Sequence, residues 1–263
     1  MLTSGSIPLG SVVFDVPVGG VVSTYEFWNT IHVPGEPGET QGPADIYPTT
    51  LRATNLNGSI SAIRVTLHNY THEFARDVNC LLVSPLGTPI MLMSDCGGGT
   101  WHTNVNLTFD STLTNPLPSG TVISSGTYSA TDHSGNNQMA PPAPLAPPHG
   151  SYLDQVKRTN PNGDWKLYLH DYLGFDIGVV HGGWSLTLII YPQPKLEVRD
   201  NGDGRVRLTL SEMSQRSFLI DYSTNMVNWS VLGQVSGISD PAIFFDDHTN
   251  RVRRFYRARR TTP

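Results

Sequence analysis

The sequence has few features that indicate a membrane segment or a nucleic-acid partner. Only 15% of its 263 residues are charged, and the formal net charge of −5 is too small to indicate nucleic acid or a strongly acidic substrate. No apolar run approaches the roughly 18 residues that cross a bilayer. The first residues lack a basic segment followed by an apolar one, so they do not form a signal peptide. If the protein is exported, we expect that its signal has been removed or that the chain has been excised from a longer one.

Cysteine is scarce, since the chain has only Cys80 and Cys96. Both lie in one predicted hairpin, where a disulfide would stabilise by about 3 kcal/mol on the loop-closure model. The register of that hairpin does not place them directly opposite each other, so two buried free thiols are the alternative. Neither arrangement makes them catalytic.

Recognisable catalytic motifs are absent from the sequence. The segment HEFAR at 72–76 begins like a zinc-protease motif, but Arg76 stands where the second histidine is required. No G-x-S-x-G elbow is present, and histidines such as His170 and His181 near a serine define no triad without geometry. The sequence therefore predicts that this chain is not an enzyme, although a protease domain could lie outside it.

Turn formers and short apolar runs are abundant. The chain has 25 Gly and 20 Pro, and no stretch of ten or more residues has a helical period. Short alternating runs separated by Gly, Pro and Asn-Gly predict an all-β fold with two cores. Asn57-Gly58 predicts a two-residue hairpin between LRATNL and SISAIRVTL, with Ile63, Val65 and Leu67 facing the core.

The stretch from Asp77 to Gly99, DVNCLLVSPLGTPIMLMSDCGGG, predicts a buried β-hairpin around the turn SPLGTP. Counting outward from that turn places Asp77 and Asn79 near Asp95, and alternation predicts that the first two point the same way. Oxygen donors thus collect at the mouth of an apolar hairpin. Either a hard cation or backbone hydrogen bonds must satisfy them.

Calcium is the cation that this donor set would suit, because calcium takes six to eight oxygen ligands. The predicted ligands are Asp77, Asn79 and Asp95, with Asp110 after NLTF or Asp171 after LYLH as additions. The alternative is that these carboxylates accept backbone N–H groups and shape turns. No other cofactor is predicted.

Residues 1–24 contain the alternating run SVVFDVPVGGVV, in which Pro17 indicates an edge strand. One interpretation is an edge strand on the chain's own sheet. The other is a strand at residues 11–22 that pairs with a neighbouring subunit and builds a fibre.

From Tyr25 to Tyr191 the motifs resemble, in order, those of the P domain (P/Homo B domain), especially its bacterial members. They are YPTTLRATNLNG through DCGGG, NVNLTFDST, LPSGTVISSGTYS, APPAPLAPPHGSY, TNPNGDWKLYLHD and GVVHGGWSLTL. The departures are Asn79, where an acid is usual, and the two cysteines. The resemblance implies a non-catalytic, jelly-roll-like β-sandwich that follows a subtilisin-type catalytic domain in proprotein convertases and some secreted bacterial proteases, and that carries calcium in the bacterial proteases.

After the linker PQPK, residues 192–263 contain six short strand patterns. They are KLEVRD, RVRLTLS, SFLIDYST, NWSVLGQV, AIFFDD and RRFYRAR. This pattern predicts a small immunoglobulin- or fibronectin III-like sandwich, and it also resembles a C-terminal module of large secreted bacterial proteins. The expected division is thus 1–24 extension, 25–191 P-domain-like sandwich and 192–263 small module.

These features predict an extracellular or cell-surface protein that supports a larger secreted assembly, with other domains or subunits as partners. A self-assembling fibre through the N-terminal strand is one alternative. A polysaccharide- or matrix-binding module is another, with Trp28, Trp101 and Tyr172 as an exposed platform. Neither nucleic acid nor membrane insertion is expected.

Overall fold

A computed structural model describes most of the chain. The described residues are 3–4, 7–8, 20–133, 138–144, 152–201, 203–211, 213, 217–236, 241–247 and 253–261. They contain 21 β-strands and two short 3₁₀ helices, so the predicted all-β class is confirmed. Two compact units divide the chain: Val21–Tyr191, and Pro192–Pro263 grouped with Met1–Gly20.

The strands are numbered in chain order. The first two are β1 Thr3–Ser4 and β2 Ile7–Pro8, which pair with each other. The larger unit contains β3 Val21–Phe27, β4 Ile31–Val33, β5 Gly42–Pro43, β6 Thr49–Ala53, β7 Ser59–His72, β8 Val78–Val83, β9 Pro89–Ser94, β10 His102–Asp110, β11 Gly126–Tyr128, β12 Thr131–Asp132, β13 Gly163–Asp171, β14 Gly178–Val180 and β15 Trp184–Tyr191. The 3₁₀ helices are Ala75–Asp77 and Leu153–Val156. The smaller module contains β16 Lys195–Asp200, β17 Arg205–Ser211, β18 Phe218–Ser223, β19 Ser230–Val235, β20 Ala242–Asp247 and β21 Phe255–Arg260.

Two sheets form the larger sandwich. The first has the order β3–β15–β7–β10–β11, and β14 pairs with the far part of β7 and with β4. The second has the order β12–β9–β8–β13, with β5 and β6 beyond β13. The core between them includes Ile63, Val65 and Leu67, all fully buried. The core face predicted for β7 is therefore confirmed.

The hairpin β8–β9 is buried on both faces. Its inner residues Val78, Cys80 and Leu82 belong to the main core. Met139 and Ala143 pack on its outer face together with Tyr47, and this explains why all six residues of β8 are buried. Its apolar run therefore lacks the polar alternation of a half-exposed strand.

The hairpin predicted at Asn57-Gly58 is wrong. β6 pairs with β13 in the second sheet, whereas β7 lies in the first sheet. The chain crosses between the sheets at Gly58, where a Cβ atom would lie 2.1 Å from the Tyr191 carbonyl oxygen. Glycine is needed there for this close approach rather than for a tight turn.

Residues 192–263 form a six-stranded sandwich, as predicted. One sheet has the order β16–β17–β20 and the other β19–β18–β21, all antiparallel. Leu208 and Leu210 of one sheet pack with Phe218, Ile220 and Val235 of the other. At the other end of the chain β3 begins at Val21, before the expected start at Tyr25. The run predicted as an edge or donor strand lies mostly outside the described residues.

Candidate functional site

The mouth of the β8–β9 hairpin meets the end of β13. Asp171 ends β13 and pairs with Val78, the first residue of β8. Because Val78 faces the main core, its cross-strand partner Asp171 lies on the same inner side of the sheet. Asp77 ends the 3₁₀ helix before β8, and its carbonyl oxygen accepts the N–H of Tyr172 at 3.0 Å. This pairing brings acids from two segments to one place.

His72 and two aspartates form the centre of this site. His72 Nε2 lies 3.3 Å from Asp171 Oδ2, and His72 Nδ1 lies 3.5 Å from Asp176 Oδ1. One ligand atom from each of the three lies within 4.8 Å of the others. His72 and Asp171 are fully buried and Asp176 is 9% exposed. We call Asp77, Asp171 and Asp176 the acidic cluster.

Strand β14 positions the histidine ring. Gly178 pairs with His72, and a Cβ atom at residue 178 would lie 2.0 Å from His72 Cδ2. The backbone N–H of Phe74 donates to His72 Nδ1 at 3.1 Å. In this neutral tautomer the ring proton is on Nε2, which faces Asp171.

Several polar atoms in this site are buried without a hydrogen-bond partner. They are His72 Nε2, Asp77 Oδ1, Asp171 Oδ2 and Asp176 Oδ1. A buried charged oxygen without a partner costs far more than an exposed one. Asp171 Oδ1 accepts the backbone N–H of Leu173 at 3.2 Å, as a turn-forming acid would, but among the described residues no donor reaches the three carboxylate oxygens named above.

Burial and mutual repulsion change the acidity of the cluster. Burial, and then the carboxylate of Asp171, raise the pKa of Asp77 to about 6. The same two causes raise the pKa of Asp176 to about 7. A positive ion among these carboxylates would remove both effects, because it favours the charged form.

Asp95 lies at the edge of the cluster. Its backbone has a φ of 54°, and its Oδ1 accepts the hydroxyl proton of Tyr172 at 2.8 Å. Arg76 Nε lies 3.5 Å from the same oxygen. Asp95 also contributes to the raised pKa of Asp77, so it is close enough to act on the site.

Two of the predicted ligands lie elsewhere. Asn79 pairs with His170, on the outer side of β8 and β13, and its Nδ2 donates to the Gln138 carbonyl at 3.0 Å. The prediction that Asp77 and Asn79 point the same way is wrong, because β8 begins at Val78 and strand alternation does not extend back to Asp77.

Asp110 is remote from the cluster and forms an ion pair with Arg64. Arg64 and His72 both lie on β7, eight residues apart, which is about 26 Å along a strand. Asp110 Oδ1 also accepts the backbone N–H and the hydroxyl proton of Thr112. Asp110 is therefore satisfied by protein donors and is not a ligand of this site.

Sequence reasoning missed His72 and Asp176. Asp176 follows Asp171 in the short segment HDYLGFD, and a second acid so close to a predicted ligand was an available signal. His72 had no such signal, because its partner strand β14 is more than a hundred residues later. Pairing with β14 and packing between the two sheets bring it to the acids.

The two cysteines are free and buried. Cys80 pairs with Met93, while Cys96 Sγ lies 3.2 Å from the Ser94 carbonyl oxygen. Burial raises the pKa of both thiols, that of Cys96 to about 12. Of the two arrangements that the sequence allowed, the structure has the free thiols.

A serine–histidine contact occurs on the outer face of the first sheet. His68 Nε2 lies 2.9 Å from Ser185 Oγ, and the Trp28 ring packs against the His68 ring at a tilt of 35°, with 5.6 Å between their centres. Among the described residues no side chain hydrogen-bonds His68 Nδ1, so no acid orients the ring as in a triad.

The platform predicted from aromatic residues is not formed either: Trp28 and Trp101 are exposed, but Tyr172 is only 7% exposed.

The site is thus a buried set of carboxylates in an all-β sandwich. No protein-family model matches the sequence, and no curated protein matches it. Solved structures that resemble it include a serine protease of Aeromonas sobria and the complex of that protease with a chaperone. Each has 14% identity and a TM-score of 0.32 over 65% of this chain. The match spans 27% of the protease chain. Among the described residues, no helix is long and apolar enough to span a bilayer.

Proposed function

We propose that this chain is a non-catalytic, extracellular accessory module whose larger sandwich is stabilised by a bound calcium ion, and that it supports a larger secreted assembly. The observation that carries the calcium proposal is the acidic cluster with its unpartnered buried oxygens. The extracellular setting and the accessory role rest on the P-domain resemblance of residues 25–191.

The donor set fits a hard divalent cation. Asp77, Asp171 and Asp176 supply carboxylate oxygens, and Asp95 lies beside them. Calcium prefers such oxygens and accepts irregular geometry, so main-chain carbonyls and water would complete its shell. His72 would remain outside that shell, with its Nε2 3.3 Å from Asp171 Oδ2.

Burial favours a structural role for the ion over a catalytic one. A metal that performs hydrolysis keeps an open position for water and substrate. Here Asp171 is fully buried and Asp77 and Asp176 nearly so, and they join the end of β13 to the entry of β8. A cation there would hold two segments of the second sheet together.

Thermal unfolding with calcium and with chelator tests the proposal. At a free calcium concentration 100 times its Kd, binding contributes about 2.7 kcal/mol, which for a unit of this size raises Tm by about 5–10 °C. Asp171→Asn should abolish this shift, because it removes a carboxylate that neighbours both other acids of the cluster.

Asp110→Asn is the matched control, since Asp110 is equally buried but lies outside the site. It should lower Tm in both buffers and leave the calcium shift intact. An unchanged midpoint in wild-type protein on adding calcium would rule out the ion. A calcium shift that Asp171→Asn retains would place the ion elsewhere.

A further inference from the structure

The loop between β13 and β14 exposes three apolar side chains. Leu173 is 50% exposed, Phe175 is 97% exposed and Ile177 is 54% exposed. We call these three residues the apolar tip. Large apolar groups grouped on a surface in this way often mark an interaction site.

In this loop the apolar side chains face solvent and polar ones are buried, which is the reverse of the usual arrangement. Tyr172 and Asp176 of the same loop are buried, whereas the apolar residues between and beside them face solvent. Phe175 also has a φ of 95°, a backbone conformation that bulky residues rarely adopt. Strain of this kind persists where the surrounding structure enforces it, commonly at functional sites.

Segments that carry three glutamates are hydrogen-bonded to the loop of the apolar tip, and Arg76, the arginine close to Tyr172, lies 3.5 Å from Asp95. Gln41 Nε2 donates to the Tyr172 carbonyl at 2.7 Å, which holds the loop carrying Glu36 and Glu39 against the tip. The backbone N–H of Glu73 donates to the Ile177 carbonyl at 3.3 Å. None of these three glutamates forms an ion pair within the described part of the chain. The tip is therefore apolar with a negative rim, which disfavours an anionic bilayer.

The smaller module has a surface of exposed apolar residues and arginines, of which Arg199 and Arg205 pair with Glu197 and Asp203 of the same module, while Arg207 forms no ion pair within the described part of the chain. On the outer face of its β16–β17–β20 sheet, Arg207 of β17 lies opposite Arg199 of β16 on one side and opposite Phe245 of β20 on the other. Phe245 and Ile243, two residues apart on β20, are 45% and 47% exposed. The guanidinium of Arg205 lies 4.9 Å from the centre of the Phe245 ring. We call Arg199, Arg205, Arg207, Ile243 and Phe245 the arginine face.

The two parts of the chain also carry net charges of opposite sign. Residues 1–191 contain 6 Lys and Arg against 14 Asp and Glu, a net charge of −8. Residues 192–263 contain 11 against 8, a net charge of +3. Opposite charges on two surfaces steer encounter and fix orientation.

We propose that the apolar tip of one molecule docks on the arginine face of a second copy. Phe175 would pack against Phe245 and Ile243, and the glutamates of the rim would face the arginines. The two surfaces differ, so the contact is heterologous, and each copy keeps one free tip and one free face. Repetition of the contact links successive copies head to tail. This proposal is independent of the calcium site and of the N-terminal strand.

Sedimentation velocity over a range of protein concentration and salt tests the association. Wild-type protein should form a series of species that grows with concentration and shrinks as salt rises, because salt screens the charges. Phe175→Ser should weaken association about tenfold or more, as expected for a central aromatic anchor. Leu86→Ser is the control, since Leu86 is a 66% exposed apolar residue in the β8–β9 turn. It should associate like wild type.

Mixing two defective variants tests the head-to-tail arrangement. Phe175→Ser lacks the tip, and the double variant Arg207→Glu, Phe245→Ser lacks the face; both change exposed residues. Each should be monomeric alone, and their mixture should give a dimer and nothing larger. Wild-type protein that stays monomeric, or a mixture that gives no dimer, would overturn the proposal. The proposal would also be overturned if wild-type protein did not self-associate but cosedimented with phosphatidylcholine–phosphatidylserine vesicles, and Phe175→Ser did not.

Discussion

At the scale of single residues, substitution of Asp176 distinguishes a metal-binding carboxylate from an ordinary structural one. Without cation, the folded pKa values of Asp77 and Asp176 lie near 6 and 7, above the ordinary value of 3.8. The folded protein then holds protons that the unfolded chain has released, so these groups destabilise the fold as pH rises from about 4 to about 7. Asp176→Asn should therefore raise Tm in chelator at pH 7.5, have little effect near pH 4, and lower Tm in calcium. Scanning fluorimetry at both pH values, with each additive, measures all three effects.

Asp110 provides the opposite pH dependence as a control. Burial alone would raise its pKa, but hydrogen bonds from Arg64 and Thr112 lower it. Its contribution to stability is present above the unfolded pKa and is lost as pH falls. Asp110→Asn should thus cost stability at pH 7.5 and little at acid pH. An Asp176→Asn variant that behaved like Asp110→Asn in chelator would contradict the repulsion within the cluster.

At the scale of elements, β14 holds the site together through one glycine. Gly178→Ala would place a methyl group 2.0 Å from His72 Cδ2 and 2.8 Å from the Thr71 carbonyl oxygen. The ring and the β7–β14 pairing would have to move, at a cost of about 1–3 kcal/mol for overpacking. We expect a lower Tm in chelator and a smaller calcium shift. Gly120→Ala is the control, because a Cβ there meets nothing within 4 Å, and a Gly178→Ala variant that matched it would refute this role of β14.

Local patterns predicted most strands but not their neighbours. Alternation in SISAIRVTL assigned the core face of β7, and the turn formers in SPLGTP placed the β8–β9 hairpin. Asn57-Gly58 misled because glycine is typical of hairpin turns, whereas here it permits the close approach of the crossing chain to the Tyr191 carbonyl oxygen. Which strands pair is decided by packing between distant segments, and a local dipeptide carries no such information.

The same limit explains the candidate site. Asp77, Asp95 and Asp171 were predicted because each lies at the end of a recognisable strand pattern. Asn79 was misplaced because one 3₁₀ helix shifts the alternation at Asp77. His72 could not be found, since it ends a strand of the first sheet and meets Asp171 of the second sheet only where the two sheets pack together. Non-local pairing thus decided which polar residues share the site.

At the scale of the whole molecule, the two compact units should unfold separately. The larger unit has an extensive core, whereas the described part of the smaller module has a core of six buried residues. Stability rises with the apolar area that a domain buries, so residues 192–263 should melt first. Because the acidic cluster lies within Val21–Tyr191, calcium should raise only the second transition. Calorimetry resolves the two transitions. Trp229 is the only tryptophan after residue 191, so its fluorescence reports the unfolding of the smaller module. Trp229→Phe should remove the fluorescence change of the first transition. One cooperative transition that calcium moves as a whole would mean instead that the modules stabilise each other, and the cation would then act on the entire chain.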